Sequence, residues 1–245
     1  MPKLISLIIA LVTPVTALAQ TNIAHLDSKM SNYNLVDITT IVGGEDIIVE
    51  LKYSTRDNFV GEDMYGDLEK AYFEISFAKK VIKAQQYLQS KHPNYTLLIY
   101  DAARPISVQR YMRSVVEGTK FENFVADGSK GGRHNYGVAV DLTIATLDGT
   151  PLDMGAPFDD FSNKASVKDT PDSSDPKTRT LAIYRAYAEE QVHKGVLTQE
   201  TANNRLLLIE CMASANLVPY RREWWHFEEL MSMSETRTKY KLLDF

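Results

Sequence analysis

The chain has 245 residues, of which 44% are hydrophobic and 24% charged, and its formal net charge at pH 7 is −5. These values are typical of a globular protein, and the lack of a basic cluster argues against a surface for nucleic acid or anionic membranes. Cys211 is the single cysteine, which excludes an internal disulfide. It lies in an apolar helical pattern, where we expect a buried small hydrophobe.

Residues 1–20 have the pattern of a secretory signal peptide. Lys3 precedes a mostly apolar run, and small residues end at a cleavage site after Ala19. The run is too short for a membrane span, although an uncleaved N-terminal anchor is the alternative. We therefore expect a leader at residues 1–19 and one catalytic domain at residues 20–245, in a periplasmic or secreted protein without a stable membrane anchor. Without the leader, 26 basic residues face 32 acidic ones, a net charge of −6.

The first predicted elements place two residues of interest at strand ends. Alternating apolar residues at 47–53 predict a strand that ends at Tyr53. Helical spacing predicts a helix over about residues 73–89, and an apolar run predicts a strand over residues 96–100. The proline after Arg104 favours an extended conformation there, so Arg104 is expected where the second strand stops. Its guanidinium could donate to a carboxylate or an oxyanion, although an isolated arginine is more often a surface residue.

The next segment carries two residues with metal-binding side chains. A helix is predicted over residues 107–116 with Ser107 as its N-cap, and a glycine-rich approach follows it. The β-branched alternation after residue 137 predicts a strand. Because an odd separation along a strand points two side chains to opposite faces, His134 is expected in the loop before this strand and Asp141 within it.

The second half of the chain combines a long polar loop with two helices. Residues 145–180 are rich in Asp, Ser, Pro, Thr and Lys, which predicts a functional or mobile loop, and Asp159 lies in it. Helices are predicted over about residues 179–194 and 198–216, the second capped by Thr198. Together with the strands, these helices predict an α+β fold with a central antiparallel sheet and helices packed mainly on one side.

The last predicted segment, residues 218–227, is extended and delivers Glu223 and His226 beside the strand that carries Asp141. A regular strand would point Glu223 and His226 to opposite sides, so a bend or bulge is expected between them. The aromatic residues in this segment are expected to be core or pocket wall.

Three of these residues have the donor atoms of a catalytic zinc site. His134, Asp141 and His226 offer two nitrogens and one oxygen, which leaves a fourth position for water. Glu223 is then a candidate general base. Taken singly, a loop histidine or a hydrogen-bonded core carboxylate is the more ordinary explanation. Asp141, however, would be costly to bury in an apolar strand without a cation or hydrogen-bond partners.

The pattern H-x-x-G-x-A-x-D at residues 134–141, followed by E-x-x-H at residues 223–226, resembles the zinc D-alanyl-D-alanine dipeptidases and their carboxypeptidase relatives. Three further stretches are similar to the dipeptidase branch in particular, namely Leu51–Gly61, Asp101–Pro105 and Met154–Asp159. The matches occur in the family's order and span almost the whole chain after the leader.

The resemblance implies roles that spacing alone leaves open. One Zn²⁺ per chain would be bound by the two histidines and the aspartate, and Arg104 would stabilise the tetrahedral transition state. Tyr53 would contact the substrate in the pocket wall. Asp159 would hold the substrate's free amino group, with Asp153 and Asp160 as neighbouring alternatives. Many members of the family that this chain resembles have serine two residues before the first histidine ligand, where this chain has Gly132 and so offers no hydroxyl to the dipeptide.

We therefore predict a zinc peptidase that hydrolyses D-Ala-D-Ala to two D-alanines, by a metal-activated water with Glu223 as general base. One alternative is a zinc D,D-carboxypeptidase or endopeptidase that acts on peptidoglycan stem peptides. Another is a catalytically inactive zinc-containing module that binds peptides. The sequence has no G-x-S-x-G motif, which argues against a serine hydrolase. Roles in antibiotic resistance, wall recycling and D-alanine scavenging are all compatible with the leading prediction.

Overall fold

The computed structural model describes residues 26–126 and 128–245 of the chain. The leader predicted at residues 1–19 lies outside these ranges. Within the two ranges, no helix is both long enough and apolar enough to cross a lipid bilayer.

A five-stranded sheet forms the centre of the fold, and two further short strands form a separate ribbon. The strands in chain order are β1 (Val36–Asp37), β2 (Ile48–Val49), β3 (Tyr72–Phe73), β4 (Tyr95–Asp101), β5 (Ala139–Thr146), β6 (Leu217–Pro219) and β7 (His226–Glu229). The central sheet has the order β2-β4-β5-β7-β6, and the ribbon pairs β1 with β3. Each of these pairings is antiparallel except that of β2 with β4, which is parallel.

The described residues form six α-helices. They are α1 (Leu26–Asn32), α2 (Ile75–Lys91), α3 (Ile106–Val116), α4 (Leu181–His193), α5 (Gln199–Ser214) and α6 (Met233–Lys239). Helix α2 packs on β4, α5 packs on β5 and β6, the two helices contact each other, and α4 lies on α5. The predicted α+β class, with helices mainly on one side, is confirmed, and the sheet is antiparallel apart from its β2–β4 edge.

The strand register brings three polar residues into one row. Asp101 of β4 pairs with Asp141 of β5, and Asp141 pairs with His226 of β7. The register of β4 shifts between Ile99 and Asp101, just before this row. Directly paired residues of neighbouring strands have side chains on the same face. The row therefore lies on one face, while Val140 and Leu142 of β5 point into the core with no exposed surface.

The helix caps agree with the sequence in one case and differ in another. Thr198 caps α5 as predicted, because its hydroxyl accepts a hydrogen bond from the backbone N–H of Thr201. The prediction that Ser107 caps α3 is wrong. Pro105 precedes the first residue of α3, and the Ser107 hydroxyl instead donates to the backbone carbonyl of Phe245, 2.5 Å away. The end of the chain thus provides a partner that local sequence does not reveal.

Two predicted extended segments are shorter than expected. The strand predicted over residues 47–53 is limited to β2, because a 3₁₀ turn at Lys52–Ser54 follows it. The segment predicted at residues 218–227 consists of the end of β6, a turn and the start of β7, so the expected bend is present. Cys211 is fully buried in α5, as predicted.

Candidate active site

His134, Asp141 and His226 reach the same point from three different elements. His134 lies in a 3₁₀ turn at Arg133–Tyr136 that precedes β5, Asp141 lies within β5, and His226 is the first residue of β7. Gly137 ends the turn with a φ of 69°, and a Cβ there would lie 3.0 Å from a methyl group of Leu35. Glycine is therefore required for the chain to turn from His134 into β5.

One nitrogen from each imidazole and one carboxylate oxygen converge. Nε2 of His134 lies 3.3 Å from Oδ1 of Asp141, and Nδ1 of His226 lies 2.9 Å from the same oxygen. The two nitrogens are 3.1 Å apart. Ligand atoms of these three residues lie within 4.8 Å of one another, which is close enough for all of them to contact one ion.

Hydrogen bonds on the outer side of each imidazole fix which nitrogen faces the centre. Nδ1 of His134 lies 2.7 Å from the backbone carbonyl oxygen of Ala102, and Nε2 of His226 lies 3.2 Å from Oε2 of Glu228. Because both partners are acceptors, the outer nitrogens carry the protons when the imidazoles are neutral. In that form the inner nitrogens present lone pairs towards each other and towards Asp141. Three acceptors at this spacing fit a cation.

The ionisation of the cluster also favours positive charge at its centre. Burial would lower the pKa of His226, but hydrogen bonds to Asp141 and Glu228 outweigh it and raise this pKa to about 10, so that without a metal ion a proton on the inner nitrogen supplies the positive charge. Burial would raise the pKa of Asp141, but the two imidazoles hold it well below its usual range. Two nitrogens and one carboxylate oxygen are also the donor set of known catalytic zinc sites. The residues present therefore fit a divalent metal ion.

Glu223 lies on the turn between β6 and β7, beside His134, Asp141 and His226, which form the candidate metal-ligand cluster. Its backbone N–H donates to the carbonyl of Tyr220, and this turn brings its carboxylate to the same side as His226 despite their odd spacing. Oε2 of Glu223 lies 4.0 Å from Nδ1 of His226. Burial raises the pKa of Glu223 to about 7, although the neighbouring imidazoles oppose this shift. A carboxyl group with this pKa can accept and return a proton near neutral pH.

Arg104 is nine-tenths buried and held by a set of fixed partners. Its guanidinium forms an ion pair with Asp101 and donates to Oε1 of Gln109 at 2.9 Å. Asp101 also accepts a 2.5 Å hydrogen bond from the Tyr65 hydroxyl and lies 3.6 Å from Nδ1 of His134. Asp101 thus ties the position of the guanidinium to that of the first histidine.

Asp159 and Tyr53 form a second polar group in the same cavity. The Tyr53 hydroxyl donates to Asp159, with distances of 3.1 and 3.2 Å to the two carboxylate oxygens. Burial, together with the negative charges of Asp141 and Glu223, raises the pKa of Asp159 well above its ordinary value. A cationic group beside Asp159 would stabilise its ionised form.

The two neighbouring acids predicted as alternatives to Asp159 have local structural partners. Asp153 is exposed and accepts a hydrogen bond from the backbone N–H of Gly155 at 2.7 Å. Asp160 accepts from the backbone N–H of Ser162 at 2.8 Å. Of the three acids, only Asp159 lies among the described residues that line the cavity.

All seven residues singled out from the sequence line one cavity of about 630 Å³, namely Tyr53, Arg104, His134, Asp141, Asp159, Glu223 and His226. Gly132 also lines it, and a Cβ at this position would meet no atom within 4 Å. The Cβ of a serine at this position would therefore displace no neighbour.

Sequence reasoning missed the residues that support the cluster from behind. Glu228 bridges Nε2 of His226 and the guanidinium of Arg133, whose Nη1 lies 3.2 Å from the Glu228 carboxylate. Asp101 bridges Arg104 and His134. The two-residue spacing from His226 to Glu228, which places both side chains on one face of a strand, was a usable signal. The bridging role of Asp101 had no such signal, because its partners come from distant parts of the chain.

Comparison with known proteins agrees with this geometry. The chain matches the Peptidase M15 family, described as D-ala-D-ala dipeptidase, over residues 31–240. It is 30% identical over 197 residues to a D-alanyl-D-alanine dipeptidase of Escherichia coli (strain K12), covering 79% of this chain and 83% of the relative. It is also 25% identical over 181 residues to a D-alanyl-D-alanine dipeptidase of a Synechocystis species, covering 62% of this chain and 66% of that relative.

Proposed function

Because the chain belongs to the D-Ala-D-Ala dipeptidase family of peptidases, we propose that it hydrolyses D-alanyl-D-alanine to two D-alanines. The reaction would use one bound zinc ion. His134, Asp141 and His226 would hold the zinc, and Glu223 would act as the general base. The observation that carries this proposal is the convergence of three inward-facing ligand atoms in a cavity that also contains the half-buried carboxyl group of Glu223 and the buried Arg104.

Glu223 performs the proton transfers in this proposal. When bound, the zinc ion supplies Lewis acidity, which polarises the scissile carbonyl and lowers the pKa of a water molecule towards about 7. The carboxylate of Glu223 accepts the proton of the attacking water and later donates it to the nitrogen of the leaving amine. Burial in the metal-free protein raises the pKa of Glu223 to about 7, which opposes the lowering that a nearby cation would cause.

Arg104 stabilises the negative charge that develops on the scissile carbonyl oxygen. Its guanidinium is already held by Asp101 and Gln109, so little reorganisation is needed when the charge forms. An arginine that merely supported the fold would not need to line the cavity.

Asp159 and Tyr53 select substrates with a free amino group. An ammonium group beside Asp159 would compensate the cost of burying its carboxylate, whereas an amide at the same position would not. This difference favours a free dipeptide over an acylated stem peptide, and therefore a dipeptidase over a carboxypeptidase or endopeptidase.

Two substrates and one variant test the proposal. Purified protein, loaded with zinc, should hydrolyse D-Ala-D-Ala faster than N-acetyl-D-Ala-D-Ala, and Glu223→Gln should lower kcat roughly 10²–10⁴-fold while zinc remains bound. Faster cleavage of the acetylated compound would favour the carboxypeptidase alternative. Tight binding of D-Ala-D-Ala without any hydrolysis would favour the inactive binding module. Full activity in Glu223→Gln would exclude Glu223 as the general base.

We also propose that the protein is exported to the periplasm or the medium, because its first 20 residues have the pattern of a signal peptide. Mass spectrometry of the N-terminus of protein from the exported fraction should identify Gln20 as the first residue. Full-length protein that remains in the cytosolic fraction would contradict export.

A further inference from the structure

Three phenylalanines form an aromatic wall on one side of the cavity, which we define as Phe59, Phe124 and Phe161. The rings of Phe59 and Phe161 have centroids 4.9 Å apart, and the ring of Phe124 stacks on Phe161 with centroids 4.6 Å apart. Phe124 is 40% exposed, which is unusual for a large apolar side chain. A ligand that covered this ring would remove apolar surface from water.

The aromatic wall begins beside the group proposed to hold the substrate's amino end. Phe59 lies close enough to Asp159 for its backbone N–H to favour the ionised carboxylate and lower the pKa of Asp159. The Phe59 ring also lies edge-on to the ring of Tyr53, with centroids 6.2 Å apart. From this end the wall extends through Phe161 to Phe124, the most exposed of the three side chains.

A dipeptide that uses both ends of the site would place its first side chain near the aromatic wall. Its ammonium group would lie at Asp159 and its scissile carbonyl near the metal-ligand cluster, so the first Cα lies between these two points. Arg104, Asp141 and Glu223 make the reacting centre charged, whereas the aromatic wall offers apolar surface next to Asp159. The methyl group of alanine is too small to cover three aromatic rings.

We infer that the aromatic wall binds the side chain of the substrate's first residue, and that the protein prefers D,D-dipeptides whose first residue is bulky and apolar over D-Ala-D-Ala. This inference rests on the proposed dipeptidase function and specifies its substrate class. Covering additional apolar surface in a pocket of this kind changes kcat/KM by roughly 10-fold or more.

The substrate preference can be measured with three dipeptides and zinc-loaded protein. We expect kcat/KM for D-Phe-D-Ala to exceed that for D-Ala-D-Ala by roughly 10-fold. D-Ala-D-Phe, which carries the same side chain on the second residue, is the order control and should show a smaller gain. Hydrolysis of D-Ala-D-Ala with no preference for D-Phe-D-Ala would overturn the inference and leave the dipeptidase function standing. Hydrolysis of no dipeptide at all would overturn both.

Two alanine variants test whether a preference for D-Phe-D-Ala over D-Ala-D-Ala comes from the aromatic wall. Phe124→Ala should lower the ratio of kcat/KM for D-Phe-D-Ala over D-Ala-D-Ala by roughly 5- to 10-fold, because an exposed part of the wall is removed. Phe121→Ala is the matched control. The Phe121 ring packs 5.6 Å from that of Phe59, but Phe121 is not among the described residues that line the cavity. An equal fall of the ratio in both variants, or no fall in Phe124→Ala, would overturn the assignment.

Discussion

The carboxylate of Glu228 lies 3.2 Å from Nε2 of His226 and so turns Nδ1 of this imidazole towards Asp141. Glu228 is itself held by Arg133, whose Nη1 lies 3.2 Å from the same carboxylate oxygen. A metal-binding histidine commonly donates its outer N–H to such a carboxylate, which fixes the ring and raises its basicity. The orientation of His226 therefore depends on Glu228, which contacts its outer nitrogen, and on Arg133, which holds Glu228.

Glu228→Ala should weaken zinc affinity roughly 10- to 100-fold, because His226 loses the acceptor that orients it. Competition with a chromogenic chelator measures the dissociation constant. Glu229→Ala is the matched control, since Glu229 bonds to Lys80 and to the Tyr240 hydroxyl instead. Equal zinc affinities in the two variants would contradict the role of Glu228.

Glu223→Gln should stabilise the metal-free protein more at pH 8 than at pH 5. Burial raises the pKa of Glu223 from 4.5 to about 7, so the folded state binds this proton more tightly than the unfolded state. The stabilisation from this proton is complete below about pH 4.5 and is lost as the pH rises through 7. At pH 8 the ionised carboxylate therefore costs up to roughly 3 kcal/mol relative to acid pH.

Urea unfolding of the wild type and of Glu223→Gln, after chelator treatment, measures this difference at each pH. Glutamine has nearly the same shape as glutamate but no charge. The stability of the Glu223→Gln variant should therefore lack this component of the pH dependence. A free-energy difference between the two proteins that is the same at pH 5 and pH 8 would be inconsistent with a buried, raised-pKa carboxyl group.

Arg104→Lys should lower kcat for D-Ala-D-Ala by roughly 10²–10³-fold, a loss typical of one oxyanion donor. A lysine ammonium keeps the charge but cannot reproduce the planar fork that donates to Asp101 and Gln109 together. Arg110→Lys provides the control, because Arg110 is exposed and donates to the backbone carbonyl of Gly128. Unchanged kcat in Arg104→Lys, with zinc still bound, would exclude the oxyanion role.

Asp159→Asn should reduce the preference for D-Ala-D-Ala over N-acetyl-D-Ala-D-Ala by roughly 10- to 100-fold, because the ammonium group loses a charged acceptor. The ratio of the two kcat/KM values is the quantity to measure. Asp160→Asn should keep the wild-type ratio, since Asp160 bonds to a local backbone N–H. The same ratio in all three proteins would mean that another group binds the amino end.

Local sequence was sufficient to predict the three residues of the candidate metal-ligand cluster. It did not predict the residues whose hydrogen bonds hold their side chains in place. Regular alternation predicted β5 and its Asp141, and the odd spacing of Glu223 and His226 predicted the bend that now separates them. The partners of Ser107 and Glu228 depend on the chain end and on the loop before β5, which come close only in the folded protein. Strand register, which aligns Asp101 with Asp141 and His226, is likewise a property of the whole sheet.

The most direct test of the account is the zinc content of the purified protein and of a His134→Ala, His226→Ala double variant. Elemental analysis after dialysis should find one zinc ion per chain in the wild type and almost none in the double variant, since only the Asp141 ligand remains. Chelator treatment of the wild type should abolish hydrolysis of D-Ala-D-Ala, and added zinc should restore it. A double variant that retained zinc, or a zinc-free wild type that still cleaved the dipeptide, would contradict the central claim.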